Sequence, residues 1–274
     1  MSDSLSDPAT SRRADGGSAS PWDSVKSSDD HGARKRRRQR LDWREGGRSL
    51  RPWDATVLAI VLAGVGAGLI GAYFAARISV PWAPFASTIA LWLGLLAAIS
   101  FALARAQPAG LFRFRSIDLL WGIGLGLGLR LVQGLLSGSH ATAFPSMTPS
   151  EGFPEHAWWI ATVLSAGLFA PLIEETMFRG VLLVAVYGLL FRGLGGFAAS
   201  VTAVLCSAGS FVLLHAAFTE LALASGVQLF IVGTTCALIV IFTGRLAGAV
   251  LAHIVYNVTF LVLAVLGTAL GSVS

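Results

Sequence analysis

Fourteen charged side chains in 220 positions constrain this chain more than any other feature. Residues 55–274 hold eight arginines and six carboxylates, set in long apolar runs with short polar breaks. A soluble domain carries about 25% charged residues. Here the whole chain has 13%, with 54% hydrophobic residues and a mean hydropathy of +0.70. So few charges cannot cover a water-facing surface. A helix needs about 20 apolar residues to cross the hydrocarbon core, where every backbone polar group must be satisfied inside the segment. The sequence therefore predicts an all-α, polytopic transmembrane helix bundle over residues 54–274. Its runs fall at roughly 55–77, 83–104, 116–137, 157–174, 177–191, 195–217, 221–243 and 246–270, about eight spans. The fifth is short and follows the fourth across a charged break only, so seven is the alternative count.

Residues 1–53 are rich in Ser, Asp, Gly and Arg without apolar periodicity, which predicts a disordered, basic cytoplasmic tail. The run Arg34-Lys35-Arg36-Arg37-Arg38-Gln39-Arg40, followed by Arg44, Arg48 and Arg51, comes just before the first span. It reads as a topogenic cluster that holds the N-terminus inside, and no nucleic-acid partner is expected. Trp43 and Trp53 suit the interfacial aromatic belt. With the tail inside, Arg105, Arg113, Arg115 and Arg179 fall inside as well, and the 138–156 loop, without Lys or Arg, falls outside. Arg77, Arg192 and Arg245 are single charges on the wrong side. An even number of spans returns the C-terminus to the cytoplasm. The expected location is the cell inner (plasma) membrane, multi-pass, with both termini cytoplasmic.

Cys206 and Cys236 lie inside predicted spans and read as small apolar fillers, since two cysteines found no disulfide framework. Gly122, Gly124, Gly126 and Gly128 lack the preceding strand and the following Lys-Ser/Thr of a phosphate loop. They form small-xxx-small pairs that let two helices approach closely.

Ionisable side chains within spans mark functional sites by default, and three clusters stand out. The first is Pro171-Leu-Ile-Glu174-Glu175-Thr-Met-Phe178-Arg179-Gly180. Arg179 follows Glu175 by one helical turn and can neutralise it. Glu174 points about 100° away and is free for another partner. Pro171 removes the hydrogen bond to the Gly167 carbonyl and favours a kink beside Glu174. The second cluster is Phe211-Val-Leu-Leu-His215, and the third is His253-Ile-Val-Tyr-Asn257, whose two polar side chains share one face. Each alone is compatible with packing or an interfacial ion pair. Together they are the parts of a hydrolytic site: a carboxylate base, imidazoles and donors for an oxyanion. Arg130, also in mid-span, pairs with Gln133 one turn away or reaches the outer interface; no role follows for it.

The three motifs in order, Glu174-Glu175-xxx-Arg179, Phe211-xxx-His215 and His253-xxx-Asn257, resemble the signature of the CPBP intramembrane proteases. That family includes the CAAX prenyl endopeptidases and the bacteriocin-processing (Abi) proteins. The resemblance covers about residues 157–262. It implies an intramembrane endopeptidase that cuts a peptide or protein substrate near the cytoplasmic face of the bilayer. In it Glu174 would be the general base, His215 would help hold the water, and His253 and Asn257 would stabilise the oxyanion. Glu175 and Arg179 would support the site. Glu174, His215 and His253 would be the ligands if a metal is present, a set with an open position that suits zinc. With no His-Glu-xx-His, a metal-free glutamate mechanism is preferred. The alternatives are a non-catalytic immunity or scaffold protein and an ion-coupled transporter.

Overall fold

A computed structural model describes residues 42–45, 50–136, 144–147 and 155–271, all within one compact unit that begins at Gln39. Most of the expected disordered tail lies outside the described residues. Among those described, regular structure is entirely helical. Helices α1 (Ala55–Ala76), α2 (Ala83–Arg105) and α3 (Ile117–Leu136) come first. Next, α4 (Glu155–Leu164), a π turn (Ser165–Phe169), α5 (Ala170–Glu175), a second π turn (Thr176–Leu182) and α6 (Leu183–Ala216) run on as one stretch. Helices α7 (Leu223–Thr243) and α8 (Ala247–Gly271) close the bundle.

Six of these helices are long and apolar enough to cross a membrane, one of them the 61-residue stretch His156–Ala216. That stretch doubles back at Gly195, whose φ of 75° is open to a residue without Cβ. Beyond the turn the two limbs pair antiparallel, with the Ser207 hydroxyl donating to the Phe178 carbonyl at 2.9 Å. The chain thus runs through the bundle in seven limbs. The break expected after Glu174 is absent because the charges there are neutralised inside the protein, so the helix has no need to end at an interface.

Small residues set the close contacts. A Cβ on Gly94 of α2 would stand 2.4 Å from the Cα of Gly68 in α1, so these two helices touch backbone to backbone. Helices α3 and α8 lie parallel, and a Cβ on Gly122 would meet the Leu251 Cβ at 2.4 Å. On Gly126 it would meet the Ala252 carbonyl at 2.7 Å. Gly124 and Gly128 meet nothing within 4 Å. The glycine run is therefore a packing device on one face, as its spacing predicted.

The chain enters the fold before residue 54. Trp43 is fully buried and Trp53 is 3% exposed, so neither sits in an interfacial belt. Trp43 donates from Nε1 to the Gly244 carbonyl at 3.0 Å and stacks edge-on against Tyr187. Arg44 donates to the Ile241 carbonyl at 2.8 Å, and Trp53 donates to the Ala102 carbonyl at 2.9 Å. These tryptophans tie the chain to the ends of α2 and α7 and the start of α8. Asp54 then caps α1 by accepting from the Val57 N–H.

At the opposite end Thr268 of α8 exchanges hydrogen bonds with Met147, at 3.1 Å each way. The odd number of limbs therefore separates Trp43 from the C-terminal end of α8, where an even count had placed both ends on one side. The same change moves Arg192 and Arg245 to the end that holds Arg105, Arg113 and Arg115, so they are no longer exceptions. Arg245 is also paired: it grips both oxygens of the buried Asp118, with a closest contact of 2.6 Å.

Candidate active site

Pro171 has no N–H to give, and the helix absorbs the lost bond by widening. In the turn before it the Ala170 N–H reaches back five residues to the Ser165 carbonyl. The second π turn follows directly after Glu175. The two carboxylates thus sit on six residues of α-helix between two widened turns, and each turn re-aims the side chains beside it.

Glu174 and Glu175 part company here. Glu174 lines a cavity of about 450 Å³ whose wall includes Ser87, Trp92, Ser165, Ala166 and Phe218. Glu175 points into the protein and is fully buried. Its Oε1 lies 3.0 Å from Arg179 Nη1, both side chains being inaccessible, and 2.9 Å from His253 Nδ1. Arg179 completes its contacts through Nη2, which donates to the Gly233 carbonyl at 3.0 Å, and by lying 4.6 Å over the Phe211 ring. Cys236 packs against the same group and donates to the Ala249 carbonyl at 3.7 Å.

Bonded through Nδ1 to one carboxylate, His253 turns its other nitrogen to the second. Its Nε2 stands 4.0 Å from Glu174 Oε2. That gap is too long for a direct hydrogen bond and has the length that a bridging water spans. His253 is 3% exposed, so Glu175 fixes its ring in a dry surrounding.

His215 and Asn257 occupy the margins of this group. His215 Nδ1–H donates to the Phe211 carbonyl at 2.9 Å, which leaves Nε2 available. Its ring lies 4.5 Å from Phe211, and His253 lies 5.6 Å from the same ring on another side chain approach. Asn257, one turn beyond His253, donates from Nδ2 to the Ala166 carbonyl at 2.8 Å. That bond steadies the first π turn. The structure thus brings Glu175, Arg179 and His253 into direct contact, sets Glu174 4.0 Å from His253, joins His215 to them through Phe211, and sets Asn257 against the backbone that frames Glu174.

The proposed metal set does not close on a common point. Among the described residues no three His, Cys, Asp or Glu side chains gather as ligands would. The bond from His253 Nδ1 to Glu175 leaves Nε2 able to ligate, as in many metal sites, but Glu174, His215 and His253 as arranged do not gather into one ligand set.

Some contributors carried no signal in the sequence. The Gly233 carbonyl, the Ser207 hydroxyl and the cavity wall at Ser87 and Trp92 come from limbs far away in the chain. Gly233 leaves room for the approach of Arg179, since a Cβ there would lie 3.2 Å from Arg179 Nη2 and 3.1 Å from the Ala208 backbone, a tight fit.

Residues 156–259 match the Rce1-like family, described as type II CAAX prenyl endopeptidase Rce1-like. The matched stretch begins one residue into α4 and closes two residues past Asn257, so it contains all seven motif residues. No curated protein and no solved structure matches the chain.

Proposed function

From a chain whose catalytic segment matches the Rce1-like CAAX prenyl endopeptidases, we propose an intramembrane endopeptidase centred on Glu174. The observation that carries this reading is the 4.0 Å gap between Glu174 Oε2 and His253 Nε2 at the edge of a cavity. A water in that gap meets a carboxylate that can take its proton and an imidazole that orients it.

Glu174 removes one proton from the water, and the hydroxide adds to the scissile carbonyl carbon. Glu174 then returns the proton to the leaving amine nitrogen as the C–N bond breaks. The tetrahedral oxyanion takes hydrogen bonds from His253, when Nε2 carries a proton, and from the Nδ2–H of Asn257 that Ala166 leaves over. His215 helps hold the water through its available Nε2. Glu175 fixes the His253 ring and Arg179 balances the charge of Glu175, so both act through His253. All these steps are made by side chains of this chain without a metal.

A multi-pass protein of this kind is oriented by its arginines. Arg105, Arg113, Arg115, Arg192 and Arg245 share the end where Trp43 is tied down, and that end is placed in the cytoplasm. The C-terminal end of α8 then lies outside, in place of the cytoplasmic C-terminus expected from eight spans. The cavity beside Glu174 is walled by Ala76, Pro84 and Phe218, which stand at the limb ends away from Trp43. In this orientation the site is reached from the opposite end, and the cut near the cytoplasmic face expected from the sequence gains no support.

The test offers wild-type and Glu174→Ala protein in liposomes a library of labelled peptides, prenylated ones included, with and without chelator. Cleavage by wild type alone, unchanged by chelator, is expected. An active Glu174→Ala protein would sink the mechanism, and loss of activity with chelator would sink its metal-free form. Two folded proteins that cut nothing would leave a binding role.

A further inference from the structure

Arg130 has surroundings that a packing role does not explain. It lies in the interior of α3, where a guanidinium is costly unless its charge is met. Its partners are all neutral. Nη1 donates to Gln133 Oε1 and Nη2 to the Tyr256 carbonyl. Nε lies 3.4 Å from Thr259 Oγ1. The guanidinium covers the Tyr256 ring at 4.1 Å and the Phe260 ring at 5.1 Å. Among the described residues no carboxylate pairs with it, whereas Arg44, Arg179 and Arg245 each have one.

Arg130 also lines a cavity of about 240 Å³, together with Gln133, Thr162, Tyr256 and Asn257. Ala166 lines both this cavity and the one beside Glu174. Asn257, bonded to the Ala166 carbonyl, stands where the two meet. A fixed guanidinium with no carboxylate partner among the described residues thus belongs to a residue that lines a second cavity next to that of Glu174.

We propose that Arg130 receives the C-terminal carboxylate of the peptide that Glu174 cuts, an inference that rests on the endopeptidase reading above. The register along α8 sets the distance. Tyr256 and Thr259, which flank the guanidinium, follow His253 by three and six residues, or about 4.5 and 9 Å of helix rise. An extended peptide advances about 3.3–3.6 Å per residue. The carboxylate therefore falls roughly one to three residues beyond the scissile bond. A CAAX box, which ends a chain, presents its carboxylate at such a distance. The guanidinium fork suits a planar carboxylate, and the charge it lacks arrives with the substrate.

The experiment uses matched peptides that end in a free carboxylate or an amide, cut in zwitterionic phosphatidylcholine liposomes. Wild type should favour the carboxylate in kcat/KM by about tenfold or more, the size of one charge-assisted contact. Arg130→Gln should bring that ratio close to one, mainly through KM. Gln133→Glu, which places a carboxylate beside Arg130, should do the same and serves if Arg130→Gln does not fold. A wild type indifferent to amidation would overturn the proposal, as would an Arg130→Gln protein that slows both peptides alike. A wild type that cuts neither peptide fails the endopeptidase reading alone. In that case fluorescent versions of the two peptides are titrated for binding: tighter binding of the carboxylate form by wild type and not by Arg130→Gln upholds the site, and equal binding overturns it. Adding phosphatidylglycerol separates a lipid source: if it abolishes the wild-type preference, Arg130 holds an anionic headgroup and the peptide assignment is wrong.

Discussion

Arg179 Nη1 lies 3.0 Å from Glu175 Oε1 with both side chains shut off from any solvent, and His253 binds the same oxygen at 2.9 Å. A buried pair of this kind stabilises little against an apolar replacement, yet removal of one partner strands the other charge. Arg179→Leu should therefore cost about 3–5 kcal/mol, and the double variant Glu175→Leu with Arg179→Leu less than the single. Thermal unfolding in detergent measures both. A double variant as unstable as the sum of the singles would show that the pair is not coupled.

The two adjacent glutamates should separate cleanly by phenotype. Glu174→Gln should lower kcat by about 100-fold or more with little change in melting temperature, since its side chain faces a cavity. Glu175→Gln should lower activity and stability together, because it loosens His253 and strands Arg179. Parallel measurement of peptide cleavage and melting checks this; equal stability losses in the two variants would contradict the assignment.

Asn257→Ala removes the part-buried bond to the Ala166 carbonyl and should cost about 0.5–1.5 kcal/mol, the net contribution of one hydrogen bond. It should also lower kcat by weakening the frame of Glu174. Activity lost with full stability would mean that Asn257 acts on the oxyanion alone.

Neighbouring glycines of α3 should differ sharply. Gly122→Ala puts a Cβ at 2.4 Å from Leu251 and should destabilise by about 1–3 kcal/mol through overpacking. Gly124→Ala meets nothing within 4 Å and should be neutral or slightly stabilising through helix propensity. Melting temperatures decide, and equal shifts in the two variants would refute the parallel packing of α3 on α8.

Trp43→Ala should cost about 3–5 kcal/mol, as expected for a fully buried large side chain. A melting temperature unmoved by this change would return residues 42–45 to the tail.

The helical class, the apolar spans and the candidate site residues were legible in the sequence. Apolar runs of about 20 residues leave few folds open, and Glu174, Glu175, His215, His253 and Asn257 are polar where polarity is costly. The turn-by-turn pairing of Arg179 with Glu175 was also legible, because helical spacing is local. Residues 170–195 were not. The charges at Glu174 and Glu175 resembled a span end, and only the approach of His253 and Gly233 from α8 and α7 shows that they are met inside, so the helix continues to Gly195.

That division has one physical reason. Hydropathy and helical period act along the chain, and the sequence by itself determined the helical class, the packing glycines and the residues capable of chemistry. Which limb faces which is settled by packing between segments up to about 200 residues apart, such as Trp43 with Gly244. Only the tertiary structure decided that His253 joins both glutamates, that Arg130 borders a chamber beside them, and that the two ends of the bundle carry opposite ends of the described chain.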